Sequence, residues 1–115
     1  MTVEADFLSA LDATFSQRLF PNMAPETVTL PYAVFSVVAQ VAQNTLSDTP
    51  NLYATRFQLD IFGRKHLDVH TLKAAVRTAM ASAFGARALE VLTQDGYEPL
   101  PKLHRLTMDW QIWHE

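Results

Sequence analysis

His66 and His70 are the residues whose spacing comes nearest to a metal site. Histidines four residues apart lie on one face of a helix and can share a cation, and Asp68 stands between these two. A zinc protease motif has a glutamate directly after its first histidine, whereas this chain has Leu67 there. Such a weak motif is more often a pair of solvated histidines at a helix start, so we predict no metal site.

The other groups that could do chemistry also lack a motif. His104 and His114 lie far apart on the last predicted strand, and neither has a serine or carboxylate at the spacing of a known nucleophile–base motif. The three glycines, Gly63, Gly85 and Gly96, are too widely spaced for a phosphate-binding loop. The absence of cysteine excludes a thiol nucleophile, a zinc ribbon and a disulfide scaffold. We therefore predict that the chain is not an enzyme and has no catalytic residue, metal or cofactor.

Charged residues on the predicted strands have a structural explanation. Asp60 and Asp109 fall on the polar faces of their strands, and Arg56 and Arg105 share those faces. Opposite charges on neighbouring strands pair across a sheet. We predict cross-strand ion pairs here rather than catalytic carboxylates.

Bulk composition indicates one soluble domain over residues 1–115. The chain has 115 residues, 49% hydrophobic and 18% charged residues, and a net charge of −3, which is ordinary for a globular protein and gives no basic footprint for nucleic acid. No segment has the ~18 apolar residues needed to span a bilayer. Glu4, Asp6 and Asp12 stand where a signal peptide would carry positive charge, so we expect no signal peptide and no membrane partner.

Two segments have the apolar spacing of amphipathic helices. The first runs over about residues 3–19 and the second over about 67–84, with Gly85 as the left-handed residue that ends it. The apolar stripe of the first contains Val3, Phe7, Leu8, Leu11, Phe15 and Leu19. Between the first helix and the first strand, residues 21–31 contain three prolines and predict an extended loop.

Four segments predict β-strands. Residues 32–42 have one apolar face formed by Phe35, Val37, Ala39 and Val41. A polar turn over 44–51 connects them to the clearly alternating residues 53–62.

The other two predicted strands are residues 88–94 and 103–114. Asp95-Gly96 is either a tight turn or a bulge within a longer hairpin. The order α-β-β-α-β-β predicts an α+β domain with one antiparallel sheet and two helices packed on one face.

Aromatic residues on polar strand faces are the main candidates for a binding surface. Trp113 falls on the face opposite Trp110, and Phe62 interrupts the polar face of its strand. An exposed tryptophan at a strand end is a typical interface anchor. The alternative is a tryptophan covered by the proline-rich loop.

The order and spacing of these features resemble the phage tail completion proteins, also called tail-to-head joining or tail terminator proteins. The resemblance covers nearly the whole chain. It rests on LPYAVF at 30–35, RFQLDIF at 56–62, YEP at 97–99, LHR at 103–105 and DWQIW at 109–113.

Membership of that family implies a hexameric ring at the head-proximal end of the tail, which stops tube growth and joins the tail to the head. The implied partners are other copies of the chain, the tail tube protein and the head–tail connector protein, with DNA only in transit through the ring. The implied location is the virion tail, assembled in the host bacterial cytoplasm. No cofactor or catalytic residue comes with the family.

A closed ring needs two different patches on each subunit. We predict that Trp113 and the proline-rich loop around Pro25 form one patch, and that Phe62 is a further candidate interface residue. The turn over 44–51, with Leu46 and Asp48, would form the other patch or contact the tube.

Two other functions are alternatives. One is a small enzyme or ligand-binding domain with a site between the sheet and the helices, which a pocket holding His66, His70 and a carboxylate would favour. The other is a small non-catalytic adaptor or inhibitor, encoded by the host, that binds a partner through its sheet edge.

Overall fold

The computed structural model describes residues 2–25, 28–42, 53–99 and 102–114. Within these ranges the chain forms two α-helices, five strands and one short 3-10 turn at Gly85–Arg87. The helices are α1 (Val3–Leu11) and α2 (His66–Phe84). The strands are β1 (Leu19–Pro21), β2 (Tyr32–Ala42), β3 (Tyr53–Gly63), β4 (Ala88–Glu98) and β5 (Leu103–His114).

The described strands form one mixed sheet in the order β1-β2-β3-β5-β4. Strand β1 runs parallel to β2, whereas the other three neighbouring pairs are antiparallel. The predicted order α-β-β-α-β-β and the predicted purely antiparallel sheet are therefore wrong. The observed order is α-β-β-β-α-β-β, and more of the described residues lie in strands than in helices.

The additional strand exists because the first helix ends at Leu11 and not near residue 19. A turn follows in which Ser16 and Gln17 have positive φ angles of 51° and 65°. The Gln17 amide donates to the Asp12 carbonyl at 2.9 Å, which closes the turn. Phe15 is buried as its helical spacing predicts, but a turn directs its side chain into the core, and the helix does not extend that far.

Strand β1 is held against β2 by hydrogen bonds from both sides of the proline-rich loop. The Ala33 amide donates to the Arg18 carbonyl at 2.9 Å. The Arg18 side chain donates in turn from Nε to the Pro31 carbonyl at 2.8 Å. These bonds fix the parallel register of Leu19 opposite Ala33.

Strand β2 contains a bulge that breaks the single apolar face predicted for it. The register shifts between Val37, which lies opposite Phe57, and Ala39, which lies opposite Arg56. An extra residue in one strand moves every following side chain to the other face. Ala39 and Val41 consequently lie on the opposite face of the sheet from Phe35.

Strand β4 is longer than the segment predicted for it, and Asp95-Gly96 is neither a turn nor the bulge. Asp95 lies opposite Leu106 and Gly96 opposite Arg105, within a regular antiparallel ladder. The bulge of this strand lies between Glu90 and Leu92.

Both helices pack against the same face of the sheet, where the core lies. The Phe7 ring of α1 stacks on Phe57 of β3 with ring centroids 4.3 Å apart. Helix α2 buries Val69, Val76, Met80 and Phe84. Neither α1 nor α2, within the residues described, is both long and apolar enough to cross a membrane.

Gly85 ends α2 in a conformation that strains any other residue, with φ 58° and ψ −131°. Replacing Gly85 with alanine is expected to lower the free energy of unfolding by about 1–2 kcal/mol. The cost is conformational, because an added Cβ would meet no heavy atom within 4 Å. Urea unfolding measures the loss of stability, with Gly96→Ala as the matched control. A Cβ added at Gly96 would lie 3.7 Å from the Arg105 carbonyl oxygen, which is an ordinary van der Waals contact. Equal losses in the two variants would refute this explanation.

Candidate assembly surfaces

The face of the sheet turned away from the helices, called the open face below, carries a polar network centred on Asp60. Arg105 Nε lies 3.3 Å from one Asp60 carboxylate oxygen, and the Thr107 hydroxyl donates to the same oxygen at 2.6 Å. Gln58 donates to the other oxygen at 3.2 Å. Arg105 also pairs with Glu98 at 3.1 Å. The predicted cross-strand pairing of Asp60 with Arg105 is confirmed.

The second predicted pair, Arg56 with Asp109, is also present on the open face. Arg56 Nη2 lies 3.3 Å from Asp109 Oδ2. Among the described residues, Arg56 Nε and Asp109 Oδ1 are buried without a hydrogen-bond partner. Both arginines of the open face nevertheless pair with carboxylates, Arg56 with Asp109 and Arg105 with Asp60 and Glu98. This pairing leaves little net charge on the face to attract a partner.

The structure separates the predicted interface residues. Trp113 lies half-buried on the open face, opposite Ala54 of β3. Phe62 lies at the other end of β3, stacked on Tyr32 with centroids 5.0 Å apart. Pro25 is exposed. Leu46, Asp48 and the predicted turn lie outside the described residues.

The outer strand β4 carries an apolar surface that the sequence analysis did not identify. Leu89, Val91 and Leu92 are 52%, 40% and 47% exposed around the bulge. We call them the β4 edge patch. Strand β4 is the last in the sheet order, so its outer side has no neighbouring strand within the described ranges. Solvent-exposed apolar residues beside unpaired backbone groups are typical of a surface that binds another chain.

The opposite edge of the sheet carries a second apolar surface. Strand β1 covers β2 only up to Phe35. Beyond that point Val37 on the helix-covered face, Val38 at the bulge and Val41 on the open face are 42%, 53% and 55% exposed. We call them the β2 edge patch.

The two edge patches lie at the same end of the sheet. Val41 is opposite Ala54, which is opposite Trp113 on β5. Further along β5, on the side that pairs with β4, Gln111 lies opposite Leu89 and Asp109 lies opposite Leu92. A line across the sheet at this end therefore runs from the β2 edge patch, past Trp113, to the β4 edge patch. Two different apolar patches on opposite sides of one subunit meet the requirement for head-to-tail contacts.

The sequence contains partial signals for both patches. Val37 and Val38 are adjacent apolar residues, which strict alternation does not allow. Leu89, Val91 and Leu92 likewise do not follow a period of two. Each irregularity marks a bulge, and each bulge leaves apolar side chains outside the core.

Glu90 joins β4 to α2 through an ion pair. Its carboxylate accepts two hydrogen bonds from Arg77, at 2.7 and 2.8 Å, and one from the Thr93 hydroxyl. The bonds from Arg77, followed by that from Thr93, lower the pKa of Glu90 below its usual 4.5, against the opposing effect of burial.

This pairing predicts a pH-dependent stability. Because the folded-state pKa of Glu90 is depressed, its contribution is complete above pH 4.5 and is lost as the pH falls through the folded-state value. The exposed Arg77 limits this contribution to about 1 kcal/mol or less. Glu90→Gln should therefore lose more stability at pH 7 than at pH 3 in thermal unfolding. An equal loss at both pH values would contradict the prediction.

One hydroxyl and one imidazole lie close enough to resemble a nucleophile and a base. Thr55 Oγ1 is 2.6 Å from His114 Nε2. Thr55 is only 1% exposed, so a substrate cannot reach its hydroxyl. This contact serves packing between β3 and the end of β5. His66 and His70 also come together with Asp95, as described below.

A family model described as "Tail completion protein gp17" matches residues 7–115. The chain belongs to this family. The resemblance found in the sequence is thereby confirmed, and the protein is a structural component of the phage tail. A search of curated proteins finds no match for this tail completion protein.

The fold of this tail completion protein is also found in a solved structure titled "Virion of native gene transfer agent (GTA) particle". The similarity has a TM-score of 0.68 and covers 96% of this chain and 92% of that chain. Only 11% of the aligned residues are identical, so the likeness shows a shared fold.

Proposed function

We propose that this tail completion protein forms a closed hexameric ring at the head-proximal end of the tail, where it stops tube growth and joins the tail to the head connector. The observation that carries the proposal is the family match over residues 7–115. The fold shared with a chain of a gene transfer agent virion supports it. In this proposal the protein is not an enzyme, is assembled in the host bacterial cytoplasm and becomes part of the virion.

Each ring contact would join two different surfaces. The β4 edge patch of one subunit would pack against the β2 edge patch of the next, and Trp113, which lies on the open face of β5 beside the start of β4, would border the contact. Head-to-tail contacts of this kind generate a ring when the rotation per subunit closes. Pro25, Phe62, Leu46 and Asp48 stay predicted contacts, either with a neighbouring subunit or with the tail tube protein.

The open face is suited to border a channel through which DNA passes. Its two arginines, Arg56 and Arg105, are each paired with carboxylates. The chain as a whole has a net charge of −3. Paired arginines and a negative net charge avoid the strong phosphate binding that would hold DNA in transit.

Negative-stain microscopy of the purified protein, alone and mixed with tail tubes that lack their terminator, tests the proposal. We expect rings, or tubes capped at one end with a fixed length. A protein that stays monomeric and never binds tube ends would refute it. Analysis of the mixture is essential, because a subunit that assembles only on the tube would form no ring alone.

Trp113→Ala is expected to reduce ring formation or tube capping while the monomer stays folded. The indole lies half-buried on the open face beside the start of β4, where it can serve as an aromatic anchor for the neighbouring subunit. Gln111→Ala is the matched control on the same strand and face. Mass photometry gives the assembled fraction. Unchanged assembly of the Trp113 variant would exclude this residue from the interface.

A further inference from the structure

His66, His70 and Asp95 form a cluster of metal-ligating side chains between α2 and β4. His70 Nε2 lies 3.0 Å from Asp95 Oδ1, and His66 Nε2 lies 3.9 Å from Asp95 Oδ2. The two imidazole rings are 4.1 Å apart between centroids. One ligand atom from each residue lies within 4.8 Å of the others.

The fold accounts for this convergence. The histidines are four residues apart in the first turns of α2, so both point to one side of the helix. Asp95 lies opposite Leu106, a core residue, and therefore shares the helix-covered face of the sheet. Its carboxylate thus meets the start of α2. The sequence analysis placed Asp95 at either a tight turn or a bulge and predicted no metal site.

The distances are close to those of a transition-metal site. Zinc binds histidine nitrogen and carboxylate oxygen at about 2.0–2.2 Å, which places tetrahedral ligand atoms about 3.3–3.5 Å apart. The observed separations, 3.0 Å from His70 Nε2 to Asp95 Oδ1 and 3.9 Å from His66 Nε2 to Asp95 Oδ2, lie on either side of that value. They involve different carboxylate oxygens, so the carboxylate must turn to bind the ion through one of them. The side chains of His66 and Asp95 are 63% and 54% exposed, so both have room to adjust.

We propose that His66, His70 and Asp95 bind a divalent transition-metal ion of the zinc type, with three protein ligands and a water in the fourth position. Two imidazoles and one carboxylate suit zinc, cobalt or nickel better than magnesium or calcium, which prefer oxygen ligands alone. The ion would join the start of α2 to the outer strand β4. This proposal goes beyond the ring proposal and does not depend on it.

Lys73 is the group that opposes the ion. Its ammonium donates to His70 Nδ1 at 3.0 Å, and His70 Nε2–H then donates to Asp95. For Nε2 to bind a cation, the imidazole proton must move to Nδ1 through solvent, and Lys73 must turn away. A positive charge beside a dication also costs electrostatic free energy. The wild-type affinity should therefore be moderate, and removing the ammonium should increase it.

Titration of the tag-free, chelator-treated full chain tests the site. Zn²⁺ binding is followed by calorimetry, and Co²⁺ binding by the visible absorption band of a tetrahedral site. We expect one equivalent to bind and the melting temperature to rise with metal concentration. His66→Gln, His70→Gln and Asp95→Asn should each weaken binding by about tenfold or more.

Two further variants complete the experiment. Lys73→Met should bind about three- to tenfold more tightly, after allowance for salt screening. His104→Gln is the matched control: its ring lies 5.7 Å from that of His66 but is not one of the three ligands, and binding should be unchanged. Circular dichroism checks the folding of each variant. No binding at about 1 mM Zn²⁺, or unchanged binding in a folded double variant of His66 and His70, would overturn the proposal.

Discussion

Replacing Phe57 with alanine is expected to lower the free energy of unfolding by about 3–5 kcal/mol, which reduces the folding equilibrium constant by a factor of roughly 150 to 5,000. Phe57 is fully buried in the middle of β3. Its ring stacks on Phe7 at 4.3 Å and lies 6.3 Å from Phe35, so it joins α1 to two strands. Removing it leaves a cavity that three elements border. A domain of this size has about 5–15 kcal/mol of stability in all, so the variant should lose a large share of it.

Phe62→Ala is the matched control for this prediction. It makes the same substitution on the same strand, but on the open face, where Phe62 is only half-buried against Tyr32. The expected loss is about 1–2 kcal/mol, because less apolar area is involved and solvent can fill the space. Chemical unfolding followed by circular dichroism measures both variants. If Phe62→Ala is as destabilising as Phe57→Ala, the core does not lie where the structure places it.

Strands β3 and β5 and the second helix could be predicted from the sequence because local patterns specify them. The alternation over 53–62 becomes β3, and its face assignment correctly predicts that the arginines and carboxylates of this face form cross-strand ion pairs. The apolar spacing over 67–84 becomes α2 with a shift of one residue at its start. In these segments a single period continues without interruption, so local preference and tertiary packing agree.

The first helix and the short strand β1 could not be predicted because tertiary contacts override the local pattern there. Phe15 and Leu19 have helical spacing from Leu11, yet both reach the core from a turn and a strand. The bonds that stabilise that alternative come from Ala33 and Pro31, which are more than ten residues away in the chain. Apolar spacing records which residues are buried, but not which backbone conformation buries them.

The candidate surfaces depend on topology in the same way. Whether Leu92 and Val38 are exposed depends on which strands lie at the sheet edges, and β4 is an edge because β5 pairs with β3. The meeting of His70 with Asp95 depends on the register of β4 against β5. Neither fact is contained in a local sequence pattern. Trp113 was identifiable because it falls on the face opposite Trp110 within one strand.

Leu92→Lys is expected to abolish ring formation and tube capping while leaving the monomer folded. Leu92 is 47% exposed in the β4 edge patch, and every contact of the proposed ring contains one such patch. Each contact would lose the burial of the exposed half of a leucine side chain, about 1 kcal/mol, and would also have to desolvate an ammonium group. The monomer tolerates lysine there because Asp109 lies opposite, and lysine on an edge strand is a common protection against edge pairing.

Gln94→Lys is the matched control, because it adds the same charge to the same strand and face, opposite Thr107, but removes no apolar contact. Mass photometry and microscopy of tubes with each variant separate the two possible results. Loss of assembly in Leu92→Lys alone places the β4 edge patch in the subunit interface. Loss in both variants means that added charge, and not the apolar patch, prevents assembly. Rings formed equally well by both variants exclude the β4 edge patch, and the contacts would then have to be sought around Pro25 and Phe62.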